Sequence, residues 1–106
     1  MSKHSHANLV MACLQVLWGK RIFAWKNNSG SALIHKRFVR FGEPGSPDII
    51  GMLPNGQFLG VECKIGRDIL SLKQREFHQK ITDNGGMVVV AHDSVDDLLN
   101  ALEARE

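Results

Sequence analysis

Apolar side chains recur at helical spacing over residues 7–18, as Leu9, Val10, Cys13, Leu14 and Leu17, with Val16 widening the stripe. Gly19 follows as a stop, and Lys20 and Arg21 stand near the negative end of that helix. Residues 22–25 are short and bulky and read as a strand, whereas Asn27, Asn28, Ser29, Gly30 and Ser31 read as a polar loop. Residues 38–41 interleave apolar and basic side chains, which suggests a second strand. Residues 42–47 hold two prolines and two glycines and form a shaped loop. Two apolar runs, residues 48–53 and 58–65, flank Pro54-Asn55-Gly56-Gln57, the pattern of a hairpin. Ser71 and Gln74 have capping-box spacing, so a helix is expected over residues 72–83, with Phe77 and Ile81 on one face and Gly85-Gly86 at its end. The continuous apolar run 87–91 predicts a central strand buried on both faces. Ser94 is expected to cap a last helix that turns Val95, Leu98, Leu99 and Leu102 inward.

The predicted order is therefore α-β-β-β-β-α-β-α: an α/β fold with a small mixed sheet flanked by helices. A chain of 106 residues has room for one such domain, residues 1–106. With 43% apolar and 23% charged residues the composition is that of a folded chain, which excludes disordered, collagenous and low-complexity classes. No apolar run approaches the roughly 18 residues of a membrane span, and the polar, His-rich start lacks the pattern of a secretory signal. Cys13 and Cys63 are too few for a disulfide framework or a zinc quartet; two buried free thiols in a reducing cytoplasm are expected.

Net charge is only +2, but its distribution is uneven. The first acidic residue is Glu43, and Lys3, Lys20, Arg21, Lys26, Lys36, Arg37 and Arg40 precede it. A basic front half suits an anionic polymer; a chance asymmetry on a solvated surface explains the charge equally well.

Asp48 opens one hairpin arm and Glu62-Cys63-Lys64 lies on the other. Strands alternate faces, so Glu62 and Lys64 share one face while Val61, Cys63 and Ile65 take the other. Burying two charges on a core strand without use costs several kcal/mol per ion. Whether Asp48 joins them depends on register. A two-residue Asn55-Gly56 turn sets Asp48 opposite Cys63, on the wrong face. A three-residue connection sets it opposite Lys64 (Asn55-Gly56-Gln57) or opposite Glu62 (Pro54-Asn55-Gly56). An odd connection, or an equivalent bulge, is predicted. Two converging carboxylates beside a lysine suit a hard divalent cation and a phosphate substrate. Lys64 would then orient or deprotonate the attacking water, or stabilise developing charge.

Pro47-Asp48 with Glu62-Cys63-Lys64 resembles the PD-(D/E)XK nuclease superfamily. The wider setting is similar to its VRR-NUC family: Gly45-Ser46-Pro47-Asp48-Ile49-Ile50-Gly51, Gly56, Phe58-Leu59-Gly60-Val61-Glu62-Cys63-Lys64, Leu70-Ser71 and Gln74. Trp25-Lys26-Asn27-Asn28-Ser29-Gly30 and Gly85-Gly86 extend the likeness, which covers about residues 8–102. The resemblance implies a restriction-endonuclease-like core and a metal-dependent DNA endonuclease. It implies that Asp48, Glu62 and the backbone carbonyl of Cys63 bind Mg²⁺ or Mn²⁺, that Lys64 serves the water, and that Gln74 supports the site or contacts phosphate, beside its capping role. The short bacterial and phage members it resembles are homodimers similar to Holliday-junction resolvases, so branched DNA such as a four-way junction is the implied partner, in the cytoplasm of a bacterial or infected cell. Family members often carry a glutamate near the start of the first helix; His6 stands there instead, and that helix has no acid. His6 is a candidate ligand for a softer ion such as Mn²⁺, but His4 and His6 are expected to lie in a mobile N-terminus. Lys26, Lys36, Arg37, Arg40, Arg67 and Lys73 are candidate phosphate contacts around the site. Trp18, Trp25 and Phe38 are expected in the core rather than as base-stacking platforms, Trp18 alternatively in a dimer seam. A DNA-binding module without catalysis and a structural domain whose charges form only salt bridges are the rival readings.

Overall fold

The stripe of the first segment is realised as α1 (His6–Gly19), with Leu9, Val10, Cys13, Leu14 and Leu17 all buried. The computed structural model describes residues 5–105. After α1 come β1 (Phe23–Lys26), β2 (Gly30–Ile34), β3 (Arg37–Phe41), β4 (Ile49–Met52) and β5 (Phe58–Lys64). Then follow α2 (Leu72–Asp83), β6 (Met87–His92) and α3 (Asp96–Ala104). A four-stranded sheet has the order β1-β4-β5-β6, antiparallel except for the parallel β5–β6 pair. The mixed α/β class stands, with helices on both sides of a small mixed sheet.

Strand alternation divides the work of the two sheet faces. Ala24, Ile49, Leu59, Val61, Cys63, Val89 and Ala91 point to one side, where they form a core with α1 and with Leu98 and Leu102 of α3. Residues 48, 50, 60 and 62 point to the other side, where α2 lies. Its Ile81 and the ring of Pro47 press on Gly60, where a Cβ would stand 2.7 Å from Pro47 Cγ. A residue without a side chain therefore lets the loop before β4 settle on the sheet. The same loop touches the start of α2. Gly45 has φ +81°, and a Cβ there would lie 2.3 Å from the Lys73 carbonyl oxygen. Gly45→Ala is expected to cost at least about 2 kcal/mol from left-handed strain plus this backbone clash, read as a lowered urea midpoint at unchanged slope.

Several elements differ from expectation. One more strand exists: Gly30–Ile34, part of which reads as polar loop, pairs with β3 in a separate two-stranded sheet. The pair is exposed on both sides, so no burial period marks it in the sequence. β6 is an edge strand and not a central one; β5 is the strand buried almost throughout. Helices α2 and α3 both pack on β6, which is why its run is apolar on both faces. Ser94 is not the cap of α3. Val95 occupies that position, and the Ser94 hydroxyl accepts from Asp96 N–H at 3.2 Å. α1 runs through Gly19, and the left-handed residue after it is Arg21 (φ 61°).

Aromatic residues expected inside lie outside. Trp18 is 49% exposed, Trp25 46% and Phe38 81%. Trp18 Nε1 donates to the Ala24 carbonyl at 3.0 Å, and Trp25 tilts on Phe23 at 5.5 Å, so both lean on the rim of the sheet. Phe38 stands on the separate hairpin, away from any core.

Candidate active site

The hairpin connection has three residues, Pro54-Asn55-Gly56. Leu53 N–H donates to the Gln57 carbonyl, Gly56 N–H donates to the Leu53 carbonyl, and Gly56 has φ +89°. This is a turn followed by a left-handed glycine, a common three-residue hairpin. The ladder pairs Ile49 with Val61 and Ile50 with Gly60. Continued by one residue it sets Asp48 opposite Glu62, the second of the two odd registers, so both acids and Lys64 share a face.

Asp48 is held from several sides. Asn27 N–H donates to its carbonyl at 2.8 Å, while the Asn27 side chain donates to Ser46 Oγ at 2.7 Å and the Pro47 carbonyl at 2.8 Å. Its own Oδ2 accepts from Cys63 N–H at 2.8 Å and lies 3.1 Å from His6 Nε2. Asn27 thus clips the loop that delivers the acid to the strand that follows α1. Nothing local in the polar run 27–31 singles it out. His6 is the first residue of α1, beneath a Ser5 cap that accepts from Asn8 N–H at 3.0 Å. Its expected place in a mobile tail is therefore corrected; His4 lies outside the described residues.

Glu62 is 2% exposed. Gln74 Nε2 donates to its Oε2 at 3.3 Å, and His78 Nε2 lies 3.2 Å from its Oε1. Burial, then the shared hydrogen bond and charge of Asp48, push the Glu62 carboxyl up to about 9, against the opposing pull of Lys64. Burial, and after it the Lys64 charge, hold His78 below the usual histidine range. At neutral pH the Glu62–His78 contact is accordingly a hydrogen bond between neutral groups. Gln74 fills both expected roles. Its Oε1 accepts from Ser71 N–H and its backbone N–H donates to Ser71 Oγ, completing the capping box, while its amide nitrogen reaches Glu62. His78 is a site residue that the sequence reading missed. Its signal was the i+4 spacing from Gln74, which sets both on one face of α2.

Lys64 is half-buried at the end of β5. Among the described residues the close contacts between basic and acidic side chains all involve histidine: His6–Asp48, His78–Glu62 and His92–Asp93. Lys64 is thus within bridging distance of no described carboxylate, while Asp48 and Glu62 each meet a histidine. No three His, Cys, Asp or Glu side chains among the described residues form a complete metal cage. The donor set still suits a hard cation, which takes one or two carboxylates and fills the rest of its shell with carbonyl oxygens and water. Burial beside Asp48 disfavours the ionised form of Glu62, and positive charge next to it would favour that form.

The candidate phosphate contacts are spread out. Lys26 ends β1, Lys36 is in the β2–β3 turn, Arg37 and Arg40 are on β3, Arg67 follows β5 and Lys73 is in the first turn of α2. Arg40 and Lys73 line a common hollow with Phe41 and Pro44. Lys36 and Arg37 lie at the far end of the hairpin. Cys13 and Cys63 are buried and not joined by a disulfide, with sulfurs 3.9 Å apart on the core side of β5. Among the described residues no helix is long and apolar enough to cross a membrane.

The family model for the VRR-NUC domain matches residues 2–94 of the chain. No curated protein matches it.

Proposed function

The chain belongs to the VRR-NUC family and carries a nuclease-type domain; from that premise we propose that it is a Mg²⁺- or Mn²⁺-dependent endodeoxyribonuclease. The observation that carries this reading is the register that sets Asp48 opposite Glu62 with Lys64 on the same face. Asp48, Glu62 and the Cys63 carbonyl would hold the cation, which when bound neutralises phosphoryl charge and makes water more acidic. Lys64 orients the attacking water and stabilises charge developing on the phosphate. Gln74 and His78 fix the Glu62 carboxyl, and Asn27 fixes Asp48. Lys26, Arg40, Arg67 and Lys73 take flanking phosphates, giving affinity without reading sequence.

The proposed substrate is branched DNA, a four-way junction above all, cut by a symmetric homodimer whose two sites serve the two strands. Phe23, Trp25, Met52 and Phe58 support a second copy. They are exposed on the sheet face that carries the acids, which α2 covers only in part. The free thiols suit a reducing cytoplasm.

The test incubates labelled four-way junction, duplex and single strand with Mg²⁺, Mn²⁺ or EDTA, beside Asp48→Asn and Lys64→Ala. Cutting that needs the metal and disappears in both variants supports the enzyme. Binding without cutting under every condition assigns a non-catalytic DNA-binding module, in line with the acid-free α1. Neither binding nor cutting overturns the reading. His78→Ala is expected to raise the Mg²⁺ concentration for half-maximal cleavage about 10–100-fold, as loss of an outer contact to a metal ligand does, with a much smaller change at saturating metal.

A further inference from the structure

The β2–β3 hairpin is bonded to no other strand, and nearly every residue in it is exposed. Leu33 and Phe38 face each other directly across it, 64% and 81% exposed. The next pair on that side is Ser31 with Arg40, and the turn His35-Lys36 has both residues at positive φ (49° and 65°). Lys36, Arg37 and Arg40 give the arm three fixed cations, and no acid occurs before Glu43. Among the described residues none of the three is ion-paired.

The root of the arm is pinned by hydrogen bonds and close packing. Asn27, just ahead of it, is bonded to Ser46, Pro47 and Asp48. At its other end Gly42 (φ +70°) packs so closely that a Cβ would meet the Asn28 carbonyl at 2.7 Å. The arm is therefore anchored on the segment that delivers Asp48. A strand of this length spans about 17 Å, more than the roughly 12 Å width of a DNA major groove. A second copy of so cationic an arm would repel it, whereas a polyanion compensates all three charges.

We propose that this hairpin is a wedge for the DNA base stack: Lys36, Arg37 and Arg40 hold it on phosphates, and the Leu33–Phe38 pair enters where the duplex opens, beside the phosphate to be cut. The proposal rests on the nuclease reading above. Apolar wedges part base steps and kink the duplex, and an aromatic ring stacks on any base, so the contact is indifferent to sequence. Bases already unpaired cost less to part, so the wedge selects DNA that is open near the site.

The test places 2-aminopurine at the branch of a four-way junction and in a matched duplex, and titrates each in EDTA. Leu33→Thr/Phe38→Thr keeps strand-forming residues; Phe38→Trp keeps a stacking ring. The natural chain is expected to brighten the junction probe. The threonine pair abolishes that rise and weakens junction binding about tenfold or more with its salt dependence kept, and Phe38→Trp restores both. Lys36→Gln/Arg37→Gln weakens junction and duplex together and flattens the salt dependence by about two phosphate contacts. A threonine pair that binds and brightens like the natural chain overturns the wedge. So does one that turns a dimer into a monomer in sedimentation without altering the probe, since a second copy then covers this face. If the natural chain cuts the junction with no change in the probe, the wedge alone fails. If it neither binds nor cuts, the nuclease reading fails with it.

Discussion

Lys64→Met is expected to slow DNA cleavage by about 10²–10⁴-fold, the usual contribution of one positioned acid–base group. Methionine keeps the apolar stem that lies along the end of β5 and removes only the ammonium. That ammonium shares a face with Glu62, and its field acts on both Glu62 and His78. Among the described residues it is in no ion pair, so the loss leaves no carboxylate stranded by a broken bridge. The effect should therefore appear in turnover and not in melting temperature. Arginine should rescue poorly, since a planar fork does not place charge where a compact ammonium does. Single-turnover cleavage of a labelled junction at saturating Mg²⁺ measures it. A methionine variant that cuts at the natural rate removes Lys64 from the chemistry.

Glu62→Gln should make the metal-free protein more stable while abolishing its response to divalent cations. The Glu62 carboxyl titrates at about 9 in the fold against an ordinary 4.5. Between those values the folded state holds a proton that the unfolded state has released. Stability contributed by this group is thus complete below about 4.5, and falls as pH rises toward about 9. At pH 7 the burden is on the order of 3 kcal/mol, at about 1.36 kcal/mol for each pH unit above the ordinary value of 4.5. Glutamine carries no such charge and can keep the Gln74 and His78 contacts, so its melting temperature in EDTA should be higher by roughly 10 °C. The gain should widen at pH 8 and shrink at pH 5. Mg²⁺ should raise the melting point of the natural chain, where it lets Glu62 ionise, and leave the variant nearly unmoved. Equal melting curves in EDTA, or equal Mg²⁺ responses, would sink this account. A residue kept at a cost to stability is what a functional site requires.

How much could be read in advance differs from residue to residue. Ser71 and Gln74 announced the start of α2 because a capping box is a contact across three residues. Gly45 and Pro47 announced a shaped loop for the same local reason. Glu62 and Lys64 had to share a face once β5 was a strand. Asp48 was different, since its side depended on whether two or three residues connect the arms, and Asn-Gly permits both. Gly56 at positive φ, closing a turn begun at Leu53, decided it. Phe38 and the two tryptophans lie outside the core because aromatic character measures only a wish for burial: Phe38 is on the hairpin that no core reaches, and Trp18 and Trp25 sit at the rim of the sheet.

By itself the chain sequence determined the helices, most of the strands, the loop before Asp48 and the pairing of acid and lysine on one strand face, all through interactions a few residues long. Tertiary structure alone decided that His6, Asn27 and His78 gather at the acids, that Cys13 meets Cys63 inside, that β6 lies at an edge, and that residues 30–41 stand out as an arm. Those outcomes depend on which distant surfaces meet. The free energy of such meetings comes from packing and dehydration of the whole fold, and no short stretch of sequence contains it.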